Sequence, residues 1–218
     1  MPRVADHDAR RRQIADAVRS VVSTRGLDAA TVSRVAREAG FSVGLVQHYF
    51  PSKDDLLLFA YERVMARVGA RAGDRIAEGE SARGSIAAVL HSALRELLPL
   101  DEERRSEYRV TQAFAGRSLE NPGLAGIAAA NSARLRGEIA TAVANGTACG
   151  EVEPDVDAQT AAARILATCE GLAAQLHREP EAAVGAATLS GAADAILAPV
   201  IGAVFTGECR QYAQDRNR

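Results

Sequence analysis

Between residues 26 and 53 the chain is cut into pieces too short to fold alone. Gly26, Gly40 and Pro51 interrupt it, and Thr31, Ser42 and Ser52 each stand where a helix begins. Gly26 closes a first helix over residues 8–25. In it Ile14, Val18, Val21 and Val22 recur at helical spacing, while Arg11, Arg12, Arg19 and Arg25 lie largely off that stripe. Thr31 caps a second helix whose Val32, Val35, Ala36 and Ala39 point inward, and Gly40 ends it after about two turns. Ser42 caps a third, over residues 43–49. Ser52 with Asp55 three residues on forms a capping box for a long fourth helix, with Leu56, Leu57, Phe59, Ala60, Val64 and Val68 on its apolar side. Helices of two turns are unstable in isolation, so the second and third need the first as a wall. Two such helices joined through a glycine-containing turn form a helix-turn-helix, with Phe41, Leu45 and Val46 filling its angle and Phe50 in the core.

Composition extends the helical expectation to the whole chain. Of 218 residues 45 are alanine, aromatics reach only 4% and tryptophan is absent. Such a chain favours thin, closely packed helices over a sandwich or barrel, which needs β-branched and aromatic runs. The expected fold class is all-α: an N-terminal three-helix helix-turn-helix unit joined by the fourth helix to a larger helical domain, about nine or ten helices in all. The expected domains are residues 1–52, with the start of helix four to about 60, and residues 53–218.

Charge supports a polyanion at one end. Residues 1–50 carry eight arginines against five acidic groups, a net of +3, while residues 51–218 carry a net of −5. The third helix is the one expected to enter the major groove of double-stranded DNA. Candidate contacts are Thr31, Arg34, Ser42, Val43, Gly44, Gln47, His48, Tyr49 and Lys53. Thr31 and Ser42 are helix caps whose termini also suit phosphate. Gly44 permits close approach of a backbone, Gln47 has the donor and acceptor that pair with adenine, and His48 offers a donor to a base or a phosphate. Tyr49 and Lys53, the only lysine, sit where the reading helix gives way to the fourth and look like backbone clamps. Each has a plainer role as cap or solvated surface.

Residues 31–53, TVSRVAREAGFSVGLVQHYFPSK, resemble the signature of TetR-family transcriptional regulators. The resemblance covers roughly residues 10–60. The family pattern usually has tyrosine where this chain has Gln47 and histidine where it has Tyr49, departures that bear on individual contacts rather than on the fold. The stretches over 97–118 and 167–180 resemble, more loosely, the group containing repressors of choline-to-betaine synthesis genes. The resemblance implies a homodimer through the last two long helices that binds a DNA palindrome, and a repressor released by an unknown small-molecule effector.

Further along, helices are expected to about residue 78, over 86–98, from the Asp101 cap to about 117, from Pro122 to about 145, over 158–177 and over 182–198, with 200–213 continuing beyond Pro199. No strand is expected, and NGTACGEVEPDVD over 145–157 reads as loop. Small residues on the last two long helices permit close crossings, and Ala162, Leu166, Ala173, Leu189, Ala193 and Leu197 are the expected dimer contacts. An effector pocket is expected among helices four to eight, with Tyr61, Met65, His91, Tyr108, Thr111, Phe114, Arg134 and Cys169 as lining candidates. So few aromatic residues give a poor cage for a quaternary ammonium, so choline is not carried over from the resemblance.

Enzyme motifs are missing: there is no HExxH, CxxC, GxSxG or phosphate loop. His7, His48, His91 and His177 have no metal-ligand spacing, so neither metal nor cofactor is expected. Cys149, Cys169 and Cys209 form no disulfide framework, and no membrane span or leader stands out, which makes the expected setting cytoplasmic. Other readings stay open: a DNA-binding regulator without an effector, a redox-sensing regulator acting through its cysteines, or a helix-turn-helix used for protein contacts alone.

Overall fold

The computed structural model describes residues 2–210, with side chains from residue 7 onward. Its helices are α1 (Pro2–Arg25), α2 (Val32–Ala39), α3 (Val43–Tyr49), α4 (Lys53–Ser81), α5 (Ile86–Arg95), α6 (Glu102–Ser118), α7 (Pro122–Cys149), α8 (Ala158–Arg178) and α9 (Leu189–Gly202). They group into two compact units, residues 1–67 with 101–128, and residues 68–100 with 129–218. Helices α4 and α7 each contribute to both.

In the first unit the predicted stripe of α1 is interior: Ile14, Val18, Val21 and Val22 are buried together with Val35, Ala36, Ala39, Val46 and Phe50. The caps form as the sequence requires. Thr31 Oγ1 accepts from the Arg34 N–H and Ser42 Oγ from the Leu45 N–H. Gly40 closes α2 in the left-handed region at φ 72°, where a side chain would be strained. Ser52 and Asp55 satisfy each other's backbone N–H groups as a capping box. The Gln13 side chain donates to Ala39 O at 2.9 Å, tying the end of α2 to α1. Helix α6 packs on α1, where Arg19 donates to Ser106 Oγ, and the Tyr61 and Phe114 rings stack 3.9 Å apart in the interior.

In the second unit α9 packs on both α8 and α5, and Leu90, Leu94, Val143, Ile165, Leu172, Leu176, Leu197 and Ile201 form its core. Three sequence expectations need correction here. Helix α7 runs through Asn145 and Gly146 to Cys149 instead of stopping near 145. Gly146 is a close-packing position: a Cβ there would lie 2.6 Å from Val152 Cγ2 and 2.8 Å from Phe205 Cε1. The turn falls at Gly150, with φ 99°.

Residues 182–188 are not helical. Ala183–Val184 and Ala187–Thr188 pair antiparallel across Gly185, whose φ of 61° suits a tight turn, and Thr188 then caps α9. No helix continues over 203–209 either; α9 passes over Pro199 and ends at Gly202, and residues 211–213 of the expected continuation lie outside the described residues. An antiparallel bridge between Val152 and Phe205 holds the following segment against the end of α7. Among the described residues no helix is long and apolar enough to cross a membrane.

Candidate functional site

Helices α2, α3 and the start of α4 carry the candidate DNA-contact residues on exposed positions. Thr31, Arg34, Ser42, Val43, Gly44, Gln47, His48 and Lys53 are all exposed, and Tyr49 is half-buried. Val43 is a large apolar side chain 42% exposed at the first position of α3. Beyond Gly44 there is open space where a Cβ would stand, so its missing side chain serves no internal contact. The Tyr49 ring meets His7 edge-on at 4.6 Å and His48 at 5.6 Å, which holds the end of α3 and leaves Gln47 clear.

Not every N-terminal arginine is available to a ligand. Arg11 lies over the Phe59 ring at 4.5 Å and near Phe50 at 5.5 Å, and Arg67 pairs with Asp16. Lys53 opens α4 beside Asp54, whose carboxylate takes both Arg117 Nε at 2.8 Å and the Asn121 amide at 2.9 Å. The Arg117 hydrogen bond, followed by that of Asn121, holds the Asp54 carboxyl below the ordinary carboxylate range against its partial burial. Asp54 therefore stays ionised, and the start of α4 is pinned to the end of α6.

A cavity of about 390 Å³ lies in the second unit, walled by aliphatic side chains from α4, α5, α7 and α8, among them Ile76, Val89, Leu94, Leu97, Ile139 and Leu166. Its lining contains no aromatic ring. Glu80, Glu138, Thr141, Asn145, Cys149 and Cys209 supply its polar groups.

None of the eight side chains proposed from sequence for an effector pocket lines this cavity. Tyr61 and Phe114 stack on each other in the first unit, where half-buried Met65 also sits, and Thr111 donates back to Tyr108 O. Exposed Arg134 pairs with Glu138 at 2.5 Å, and His91 lies 3.4 Å from Asp194. Cys169 is 1% exposed and donates to Leu94 O at 3.7 Å; burial pushes its thiol up to about 12, which leaves it unreactive at neutral pH. The cavity residues went unrecognised because an aliphatic stripe facing a void has the same pattern as one facing a core.

The expected dimer contacts lie in the interior of the chain itself. Ala162, Leu166, Ala173, Leu189, Ala193 and Leu197 are each at most 4% exposed, because α8 and α9 turn their most apolar faces into the chain's own interior. The outward faces carry different small residues: Ala163, Ala167 and Gly171 on α8, and Gly191, Ala195, Ala198 and Gly202 on α9.

A further cluster escaped sequence reading. Cys149 Sγ, a Glu151 carboxylate oxygen and Cys209 Sγ lie within 4.8 Å of one another. Burial, with the neighbouring carboxylate and second thiol, pushes the Cys149 thiol up. Glu151 is 2% exposed and accepts from the Ile86 and Ala87 N–H groups at 2.9 and 3.1 Å, so it caps α5 from across the unit. Nothing in the spacing of these three residues marks them as neighbours.

The fold and its exposed polar residues define a helix-turn-helix protein. The description "Bacterial regulatory proteins, tetR family" matches residues 14–60, and "BetI-type transcriptional repressor, C-terminal" matches residues 87–202. The chain is 36% identical over 114 residues to the HTH-type transcriptional regulator PksA of Bacillus subtilis, covering 52% of this chain and 54% of that protein. It is 37% identical over 91 residues to BetI 1 of Chromohalobacter salexigens, covering 41% and 45%. The matched stretches thus span about half the length of these relatives. A solved transcriptional regulator from Rhodococcus sp. Rha1 is 31% identical, with a TM-score of 0.76, covering 90% of this chain and 96% of that one. The chain belongs to the TetR family of bacterial regulatory proteins, and its C-terminal region is of the BetI type. This is a family of DNA-binding regulators, not of enzymes.

Proposed function

We propose that the chain acts in the cytoplasm as a dimeric repressor that reads a DNA palindrome and leaves it when a small, largely apolar molecule binds. The observation that carries the reading is the exposed, capped surface of α2, α3 and the start of α4. There Gln47 and His48 are exposed on the reading helix, flanked by Thr31, Arg34, Ser42, Gly44 and Lys53. Gln47 and His48 contact base edges, Val43 offers an apolar contact to a thymine methyl, and Lys53 with the two caps contacts phosphate.

One reading helix of two turns binds weakly, whereas two related by a two-fold axis reach successive turns of the duplex about 34–36 Å apart. The outward small residues of α8 and α9 supply the face for a second copy. At Gly171 and Gly202 there is open space where a Cβ would stand, which lets another helix approach closely.

The aliphatic cavity takes the effector. Its lack of aromatic rings excludes a cation–π cage, and Glu80, Glu138, Thr141 and Asn145 are among the few polar groups it offers a ligand. Helix α4 gives a mechanical route: Lys53 opens it, and Ala72, Ile76 and Glu80 of the same unbroken helix line the cavity. A ligand that shifts this helix changes the separation of the reading helices in the dimer.

The test is selection of bound duplexes from a random library by the purified protein at several salt concentrations. An enriched palindrome whose affinity falls steeply with salt is expected. Equal retention of unrelated duplexes, or no retention at any salt, refutes the reading.

A further inference from the structure

We infer that Cys149, Glu151 and Cys209 form a binding site for a thiophilic divalent cation, Zn2+ being the chemical type. The donor set is two sulfurs and a carboxylate, and the three ligand atoms lie within 4.8 Å of one another. Cys149 Sγ stands 3.8 Å from Glu151 Oε1. Around a tetrahedral zinc, with Zn–S near 2.3 Å and Zn–O near 2.1 Å, neighbouring ligand atoms are about 3.6–3.8 Å apart. The group is therefore close to coordination spacing.

Backbone contacts hold the three donors in place. Cys149 is the last residue of α7, and Gly150 turns the chain at φ 99° into Glu151. The Val152–Phe205 bridge lays the segment after α9 alongside, and the Gly207 N–H donates to Glu151 O at 3.0 Å. That approach is so close that a Cβ on Gly207 would stand 2.2 Å from Gly150 O. Cys209 is thereby brought back to the end of α7.

The Glu151 carboxylate is oriented by the Ile86 and Ala87 N–H groups, one on each oxygen, and each oxygen keeps a lone pair for a cation. Two sulfurs with a carboxylate suit Zn2+ better than Ca2+ or Mg2+, which take all-oxygen sites, and better than the soft Cu(I), for which a hard carboxylate is a poor ligand. Cys209 is partly exposed and provides the entry path. Both cysteines line the aliphatic cavity, so a fourth position opens to water or to a ligand lodged there. Binding joins the end of α7, the start of α5 and the segment after α9.

The reduced, metal-free full-length protein is titrated with Cd2+, read by its thiolate charge-transfer absorption, and with Zn2+ by calorimetry. One equivalent per chain is expected, with a rise in melting temperature under Zn2+. The Cys209→Ser variant, altered at a partly exposed position that leaves the core intact, loses both signals; Cys149→Ser loses the absorption band; Cys169→Ser keeps all of it. A wild-type protein without a stoichiometric band, or a band that survives in Cys209→Ser, overturns the assignment. So does a reduced protein that ignores both cations yet forms a Cys149–Cys209 disulfide with peroxide, two thiols giving one disulfide and two waters; that result makes the pair an oxidant sensor.

Discussion

Replacing Glu151 with alanine tests whether a single buried carboxylate organises the second unit. Both its oxygens accept backbone N–H groups from the first turn of α5, and the side chain is 2% exposed. A hydrogen bond to a charged acceptor contributes about 1.5–3 kcal/mol, and an anion at a helix N-terminus adds up to about 1 kcal/mol, more when buried. Removal also leaves the Ile86 and Ala87 N–H groups without that acceptor. The desolvation of the carboxylate offsets part of the sum, so Glu151→Ala should cost about 3–5 kcal/mol, a large share of the roughly 5–15 kcal/mol of a typical domain. The internal control is Ser85→Ala, which removes the exposed cap of the same helix at Ala88 and should cost about 1 kcal/mol. The assay is urea unfolding at matched protein concentration, without added metal, comparing midpoints at unchanged slope. If Glu151→Ala loses no more than Ser85→Ala, the carboxylate is not the keystone described.

Phe114→Ala, removing a side chain 1% exposed and stacked on Tyr61, should cost about 3–5 kcal/mol in the same unfolding assay. Lys53→Ala should weaken binding to all duplexes alike and lower the slope of log affinity against log salt by about 1, whereas Gln47→Ala should relax preference at one base position by about 1–3 kcal/mol in competition binding. Ala167→Glu, which places a charge on the outward face of α8, should convert dimer to monomer in analytical ultracentrifugation without loss of helix content by circular dichroism. Asp54 has a folded value below its unfolded one, so its stabilisation is complete above the ordinary carboxylate range and is lost as pH falls through the depressed value. Asp54→Asn should therefore lower stability at neutral pH and flatten its decline toward acid in unfolding midpoints measured against pH.

Local signals made the first sixty residues legible. Caps at Thr31, Ser42 and Ser52, a left-handed closure at Gly40 and the α1 stripe act within a few residues of one another, and all of them form. The exposure of the polar residues on α2 and α3 could be expected for the same reason, since two short helices between fixed caps have one side left for solvent.

Where a residue's role depends on a distant partner, sequence alone misplaced it. Asn145 and Gly146 look like a break, yet Val152 and Phe205 close on Gly146 and the helix continues. Small and aliphatic residues of α8 and α9 suit an interface and a core equally, and only packing showed that Leu166 and Leu197 face inward while Ala167 and Ala198 face out. A predominantly helical, capped helix-turn-helix protein was thus determined by near-neighbour chemistry. The aliphatic cavity, the Glu151 cap and the Cys149–Glu151–Cys209 cluster were decided by tertiary structure, because they join side chains whose meeting depends on how whole helices pack.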